Sequence, residues 1–385
     1  MAFPEHLTAD ILSRLPVKSL VRFSSVRKEW QALIRDPHFI SQHLNLNIAK
    51  EDQSGRLLVK YRCNVTRKNV ISLLLHGTHG YMLSKLEIPS SVMDSHHLKL
   101  VGSSNGLLCL AHDKSAHLWS PMILLWNPAI REFSVLPDSV IDSVNDDDNV
   151  QVRGVAHGFG YHPLIDDYKV VRIVSLSCFG NAWIRAEVYS QKVDCWQEVN
   201  TFHFEIYEHS CTALNGLLYW IAYGRGDREL IVSFDMCDDV FGELQLPDLS
   251  FLEIPMCTKL ADLKQSLHLI VYTFSGRQRE IYAWKMIEHD AEVLWKREWT
   301  IGPLLGIERP LGCGLYGEIY MESRKGELVL YNPSSEEAKH IPIRGLRCSL
   351  EVHFYVESLV STKGQHEVLQ ETNKRIMRNI NRRAA

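Results

Sequence analysis

Two stretches lying 110 residues apart read almost alike: SSNGLLCL at 103–110 and ALNGLLYW at 213–220 each set an Asn-Gly pair before large apolar residues. VLP (135–137) and QLP (245–247) repeat the offset. A third stretch, GLYGEIYMESRKGELVLYNPSSEEAKHIP at 314–342, keeps the order turn, strand, turn, strand and closing proline. Asn-Gly is the strongest short-range hairpin signal, because a two-residue turn that matches strand twist needs positive φ at both positions. A chain that repeats such hairpins must stack or ring its units to bury their faces.

From residue 55 onward, runs of four to seven residues rich in Val, Ile, Leu, Tyr and Trp alternate with Gly, Asn, Asp and Pro, an all-β pattern. Between the copies lie two related segments, GFGYHPLIDDYKVVRIV to AEVYSQKVDCWQEV (158–199) and LADLKQSLHLIVYTF to IYAWKMIEHDAEVLWKREW (260–299). Each unit spans about 40 to 55 residues, the length of a four-stranded propeller blade. Residues 56–89, with EVHFYVESLVS (351–361) as a returning strand, complete six units and close the ring, which removes exposed sheet edges. A packed β-sandwich is the competing arrangement.

Ahead of the strands, ILSRLPVKSLVRFSSVRKEWQALI (11–34) changes period. Pro4 can open a helix, and Leu7, Ile11, Leu12 and Leu15 share one helical face. Pro16 ends that piece, and Val17, Leu20, Val21 and Phe23 form a second. Ser24-Ser25 are N-cap candidates for a third, carrying Val26, Trp30, Leu33 and Ile34. Asp36-Pro37 starts one more turn with Phe39 and Ile40. Three short helices in about 40 residues are near the size at which a lone core is marginal. Either the rest of this chain or a separate partner covers them. The predicted fold class is α+β and multidomain: a small N-terminal three-helix unit, then an all-β six-bladed propeller.

Composition restricts function mainly by exclusion. The chain of 385 residues is 45% apolar and 23% charged, as in soluble globular proteins, and its net formal charge of −4 favours neither nucleic acid nor an acidic membrane. Cys63, Cys109, Cys178, Cys195, Cys211, Cys237, Cys257, Cys313 and Cys348 stand singly, without a C-x-x-C pair, so most of them read as small buried hydrophobes. MAFPEHLTAD lacks a basic-then-apolar leader, and no apolar run approaches the length of a membrane span. Cytoplasm or nucleus is the expected location. Asn64-Val65-Thr66 and Arg225-Gly226-Asp227 spell a glycosylation acceptor and an adhesion tripeptide, and both read as coincidence in that setting.

Several spellings invite catalytic readings. Gly102-Ser103-Ser104-Asn105-Gly106 fits the hydrolase nucleophile elbow, but a strand, LLCLAH, follows where a helix should, and the matching turn has Leu214 in the serine position. Gly312, Gly314 and Gly317 spell a dinucleotide fingerprint with strand-like EIYMES after it. His96-His97 lack metal-ligand spacing, and NDDDN (145–149) lacks the spaced oxygens of a calcium loop. The tail NKRIMRNINRRAA is basic and points to nothing specific. No metal, cofactor or catalytic residue is expected.

FPEHLTADILSRLPVKSLVRFSSVRKEWQALIRDPHF (3–39) resembles an F-box through Pro4, Leu7, Ile11, Leu12, Leu15, Pro16, Leu20, Val26, Trp30, Asp36, Pro37 and Phe39. Phe3, where the family usually has Leu, and Arg27, where plant members often have Cys, depart from the pattern. GSSNGLLCL, LLWNPAIREFSVLP, FGYHPLIDDYKVVRI, EVYSQKVDCW and YVESLVS resemble the F-box-associated region of a plant family that includes kelch-like and S-locus F-box proteins. The resemblance implies an F-box at 1–45, an F-box-associated domain at 55–361 and a basic tail at 362–385.

It also implies that Pro4, Leu7, Ile11, Leu12, Leu15, Pro16, Leu20, Val26 and Trp30 dock on a Skp-type adaptor, and through it on cullin and RING subunits. The chain would then be a non-enzymatic substrate receptor of an SCF ubiquitin ligase. Propeller loops would hold an unknown protein target, with no role for nucleic acid or membrane. The alternatives are an S-locus receptor for a secreted ribonuclease and a propeller enzyme whose F-box controls only its own turnover.

Overall fold

The computed structural model describes the chain except residues 1–4, 55, 78–79, 90–97, 113–121, 142–148, 180, 207–210, 225, 227, 253–255, 274–277, 290–291, 315–316 and 364–385. Its strands form six antiparallel sheets of four. Blade 1 holds β1 (Arg56–Arg62), β2 (Asn69–Gly77) and β3 (Gly80–Lys85). Blade 2 holds β4 (Leu98–Ser104), β5 (Leu107–His112), β6 (Met122–Asn127) and β7 (Glu132–Val135). Blade 3 comprises β8 (Gln151–His162), β9 (Asp167–Cys178), β10 (Asn181–Ser190) and β11 (Cys195–Val199). In blade 4 are β12 (Thr212–Leu214), β13 (Leu217–Tyr223), β14 (Glu229–Asp235) and β15 (Val240–Leu244). In blade 5 are β16 (Met256–Leu263), β17 (Ser266–Thr273), β18 (Gln278–His289) and β19 (Glu292–Leu305). Blade 6 has β20 (Ile307–Cys313), β21 (Ile319–Ser323), β22 (Glu327–Asn332) and β23 (Glu337–Arg344).

The last strand, β24 (Glu351–Phe354), completes blade 1 by pairing with β1, Leu58 opposite His353. The ring is closed by joining the end of the β region to its beginning. The innermost strands β24, β4, β8, β12, β16 and β20 pack against one another around the axis. The fold is the expected six-bladed propeller. The returning segment differs in one respect: only 351–354 is strand, and 355–361 leaves the sheet.

Successive side chains of a strand point to opposite faces, and in this ring both faces are covered by a neighbouring blade. Leu57 and Val59 pack with Leu311, Leu328 and Ile341 of blade 6, whereas Leu58 packs with Leu100, Leu108 and Leu124 of blade 2. That is why strands such as LLYWIAY read as continuous apolar runs. The core between blades 3 and 4 is rich in aromatic side chains, with Trp220 and Phe234 wholly buried against Val171 and Val188. Trp220 Nε1 donates to the His157 carbonyl oxygen at 3.2 Å, so its polar atom is satisfied. Of the cysteines, only Cys109 and Cys313 meet the expectation of burial.

Both Asn-Gly pairs form hairpin turns at the same place in their blades. Asn105 and Gly106 have φ of 49° and 84°, and Asn215 and Gly216 have 50° and 82°. A Cβ at Gly106 would strike Ser358, and one at Gly216 would strike the His162 ring. Glycine is required there by crowding as well as by φ. Ser104 ends β4 and no helix follows, while Gly312 lies within β20 and Gly314 and Gly317 in its hairpin, so both catalytic spellings are blade turns.

Before the propeller come α1 (Glu5–Ser13), α2 (Val17–Phe23), α3 (Lys28–Ile34) and α4 (Pro37–Ser54). Asp36 Oδ1 accepts from the His38 and Phe39 N–H groups at 2.9 and 3.1 Å, the expected N-cap. The helix it starts runs far beyond one turn. Ser24 and Ser25 are not caps for α3; their hydroxyls donate back to the Val21 and Arg22 carbonyls at the end of α2, each at 2.7 Å. The residue preceding α3 is Arg27, whose side chain caps nothing.

Candidate functional site

The helices have a partner within the chain. Leu12, Val17, Leu20, Ile34 and Phe39 enclose Leu359, which follows β24, and Ala129 and Ile130 from the β6–β7 turn pack at the edge of this cluster. Leu12 and Leu20 were predicted on the adaptor face, but they are 3% and 0% exposed and have no surface left to offer. They share a periodic face with the residues that do, and burial alone separates them. Pro4, His96, His97, residues 145–148 and most of the basic tail lie outside the described residues.

The segment that supplies Leu359 is held from several sides. Asn127 Nδ2 donates to the Ser358 and Val360 carbonyls at 3.1 and 2.8 Å, and Gln191 Nε2 to that of Ser361 at 3.1 Å. The Thr362 N–H donates to Glu132 Oε1 at 2.7 Å. Arg56 and Glu357 form an ion pair at 3.0 Å. Within the head, His43 donates from Nε2 to the Leu15 carbonyl at 2.9 Å, which assigns the proton to that nitrogen and leaves Nδ1 to accept from Asn47. Burial lowers the His43 pKa.

Other apolar side chains of the head face solvent. Leu7, Ile11, Val21 and Val26 are 44%, 54%, 40% and 60% exposed, and Pro16 is exposed beside them in sequence. Leu15 and Trp30 are half-buried at the rim of the internal core. Trp30 is braced by Phe23, ring centroids 5.6 Å apart, and the Arg27 guanidinium lies 5.8 Å from its ring centroid. These exposed aliphatic side chains are the candidate contact residues of the head.

Because α4 runs directly into β1, the head sits at the end of the propeller where β1 begins and β24 ends. Ser358 against the Gly106 turn and Lys169 Nζ on Asp239 at 2.7 Å belong to this end. Its connections are short: 105–106, 128–131, 163–166, 191–194, 215–216, 236–239, 264–265 and 333–336. The opposite end carries longer connections, described over 63–68, 86–89, 136–141, 200–206, 245–252 and 345–350, along with short ones at 306 and 324–326. Long connections displayed by a rigid ring are where recognition is usually placed.

One of these long connections is pinned from inside. Glu187 Oε2 accepts from the Val140 and Ile141 N–H groups at 3.0 and 3.3 Å, while Arg172 Nη1 reaches Glu187 Oε1 at 2.8 Å and Ser139 Oγ at 2.7 Å. The pair is almost wholly buried, at 2% and 0% side-chain exposure. Sequence reading missed it because Arg172 and Glu187 sit in apolar strands and pair only across the β9–β10 ladder.

Comparison with known proteins agrees with the division into a helical head and a propeller. A family model described as the F-box associated beta propeller domain matches residues 65–362, and the F-box domain model matches residues 2–42. An F-box/kelch-repeat protein of Arabidopsis thaliana is 28% identical over 364 residues, covering 93% of this chain and 95% of its own length. The F-box protein CPR1 of the same plant is 25% identical, with 99% and 96% covered.

Proposed function

Since the chain belongs to the F-box proteins that carry an F-box-associated β-propeller, we propose that it is the substrate-recognition subunit of an SCF ubiquitin ligase. The helical head docks on a Skp-type adaptor, and the opposite end of the propeller holds a protein target. The observation that carries this reading is the polarity of the molecule: exposed aliphatic residues on a head fixed at one end, long connections at the other. Holding a target beside a charged ubiquitin-conjugating enzyme replaces a chance encounter with an effective concentration on the order of millimolar. Such a receptor needs no acid, base or nucleophile of its own.

Leu7, Ile11, Leu15, Pro16, Val26 and Trp30 are the contact residues in this reading, with Leu12 and Leu20 supporting them from beneath. Buried interface anchors are worth about 2 kcal/mol or more each. Co-expression of the full chain with a Skp-type adaptor tests it. Ile11→Asp combined with Val26→Asp abolishes co-purification without lowering the melting temperature, because neither side chain is in the internal core. Undiminished co-purification of that variant contradicts the assignment.

A further inference from the structure

We infer that the sector of the loop-bearing end shared by blades 6 and 1 is a docking surface for an acidic peptide segment of the protein target. The inference rests on the reading of that end as the target-binding side. Although the chain as a whole carries a net charge of −4, exposed cations collect here: Arg67, Lys68 and Lys85 from blade 1, and Lys325, Arg344 and Arg347 from blade 6 and the connection after it.

Backbone hydrogen bonds lace their turns into one surface. The Leu346 N–H donates to the Arg62 carbonyl at 2.8 Å, Cys63 bridges to Gly345, and the Gly345 N–H donates to the Gly326 carbonyl at 2.9 Å. Side chains add to this: Arg62 Nε donates to the Arg67 carbonyl at 2.9 Å and Arg344 Nε to that of Lys325 at 3.1 Å. The positive charges therefore stand on a fixed framework. The carboxylates of the sector balance only part of them. Glu308 is buried and bound to Arg347 at 2.7 Å, Glu322 is buried and bound to Arg309 at 3.0 Å, Glu327 lies 3.6 Å from His340, and Glu87 is near Lys85 in sequence.

Cys63 registers the same surroundings. The Thr66 hydroxyl, the N–H groups of Thr66 and Val65 and the charge of Lys85 bring its thiol down to about 7. Lys85 is the cation acting on it, beside the donors of its own turn.

The chemistry favours a peptide over a nucleic acid strand. Val65 is 89% exposed and Leu305 72%, and the Gly306 carbonyl next to Leu305 accepts from the Arg324 N–H at 2.8 Å. Aliphatic side chains thus flank the cations. Single-stranded nucleic acid is bound by stacking bases on exposed aromatic rings, and the described residues of 63–68, 305–306, 324–326 and 344–350 include none. A segment mixing Asp, Glu or phosphorylated side chains with an occasional apolar residue fits both features, the guanidinium groups taking carboxylate or phosphate oxygens.

The test is fluorescence anisotropy on the full chain. Its probes are a labelled peptide of glutamate pairs separated by leucines, a phosphoserine version, the glutamine counterpart and an oligouridylate. Both anionic peptides bind at least about tenfold more tightly than the glutamine peptide, and added salt weakens them. The triple change Arg67→Glu, Lys325→Glu, Arg344→Glu removes the difference. The milder pair Arg67→Gln with Lys325→Gln, checked for an unaltered melting temperature, reduces it severalfold. Equal binding of the glutamine peptide, anionic-peptide binding unaffected in either variant, or tighter binding of oligouridylate overturns the inference. Adaptor co-purification is measured on the same samples. Its failure in the wild-type chain would remove the ligase reading and leave the peptide data to judge the surface alone.

Discussion

Asn47 on α4 donates from Nδ2 to the carbonyl oxygen of Glu357 at 3.1 Å, although 310 residues separate the two. The bond joins the head to the stretch that follows the ring-closing strand. Two residues further on, Leu359 enters the core of the head. Closing the propeller therefore places the segment that seats the helices, and this segment sets the orientation between the head and the loop-bearing end.

Leu359→Ala should expose this dependence. Removing a buried leucine costs about 2–5 kcal/mol. The loss is expected to fall on the head, with α1–α3 exchanging amide hydrogens much faster and the strands between blades 3 and 4 unchanged. Uniform acceleration across all six blades would instead show that Leu359 serves the propeller alone.

Gly106→Ala places a methyl group against Ser358 and holds alanine at positive φ. Both effects destabilise, together by more than about 1 kcal/mol. At Gly226, where φ is also positive but none of the described residues lies within 4 Å, alanine carries only the backbone penalty. Denaturant midpoints of the two variants give the comparison, and equal losses would refute the crowding argument.

Much of this architecture is legible because it is local. Asn105-Gly106 and Asn215-Gly216 mark their turns plainly. The equivalent turn in blade 5 has Lys264 and Gln265 at φ of 51° and 57°, neither a glycine, and there only the spacing of the flanking apolar runs reveals the blade. What stays hidden is non-local. Leu12 and Ile11 are sequence neighbours on one apolar stripe, and their separation into core and surface depends on Leu359, which by itself reads as one more strand residue. The basic surface is likewise assembled from turns near 65, 325 and 346, none of which is unusually charged alone.

The buried pair Arg172–Glu187 supports a stronger mutational prediction. Glu187→Gln or Arg172→Met leaves a buried charge without its counter-ion and should cost about 3–5 kcal/mol. The double replacement by apolar residues should recover much of that in thermal melts. It should also free 139–141, detectable as proteolytic cleavage near Ser139. Single variants as stable as wild type would mean that water reaches the pair.

Stability should also fall on mild acidification. Burial takes the His353 imidazole in the axial channel down to about 4, against the nearby Glu351, with Lys259 and Lys60 acting in the same direction as burial. His43 is lowered as well. The unfolded chain therefore takes up protons first, and stability from these groups, present above about pH 6.5, is lost towards about pH 4. Glu322, raised by burial, runs the opposite way, so the comparison is between wild type and His353→Gln. The variant should show a smaller drop in melting temperature between about pH 7 and pH 5. An identical drop would remove His353 from the account.

The most direct measurement of the central claim is hydrogen exchange of the full chain with and without a Skp-type adaptor. Protection should appear in α1–α3, around Ile11 and Val26, while 63–68, 200–206 and 345–350 at the far end exchange as before. Protection at those far connections, or none in the helices, would contradict a receptor that holds its adaptor at one end and leaves the other free for a target.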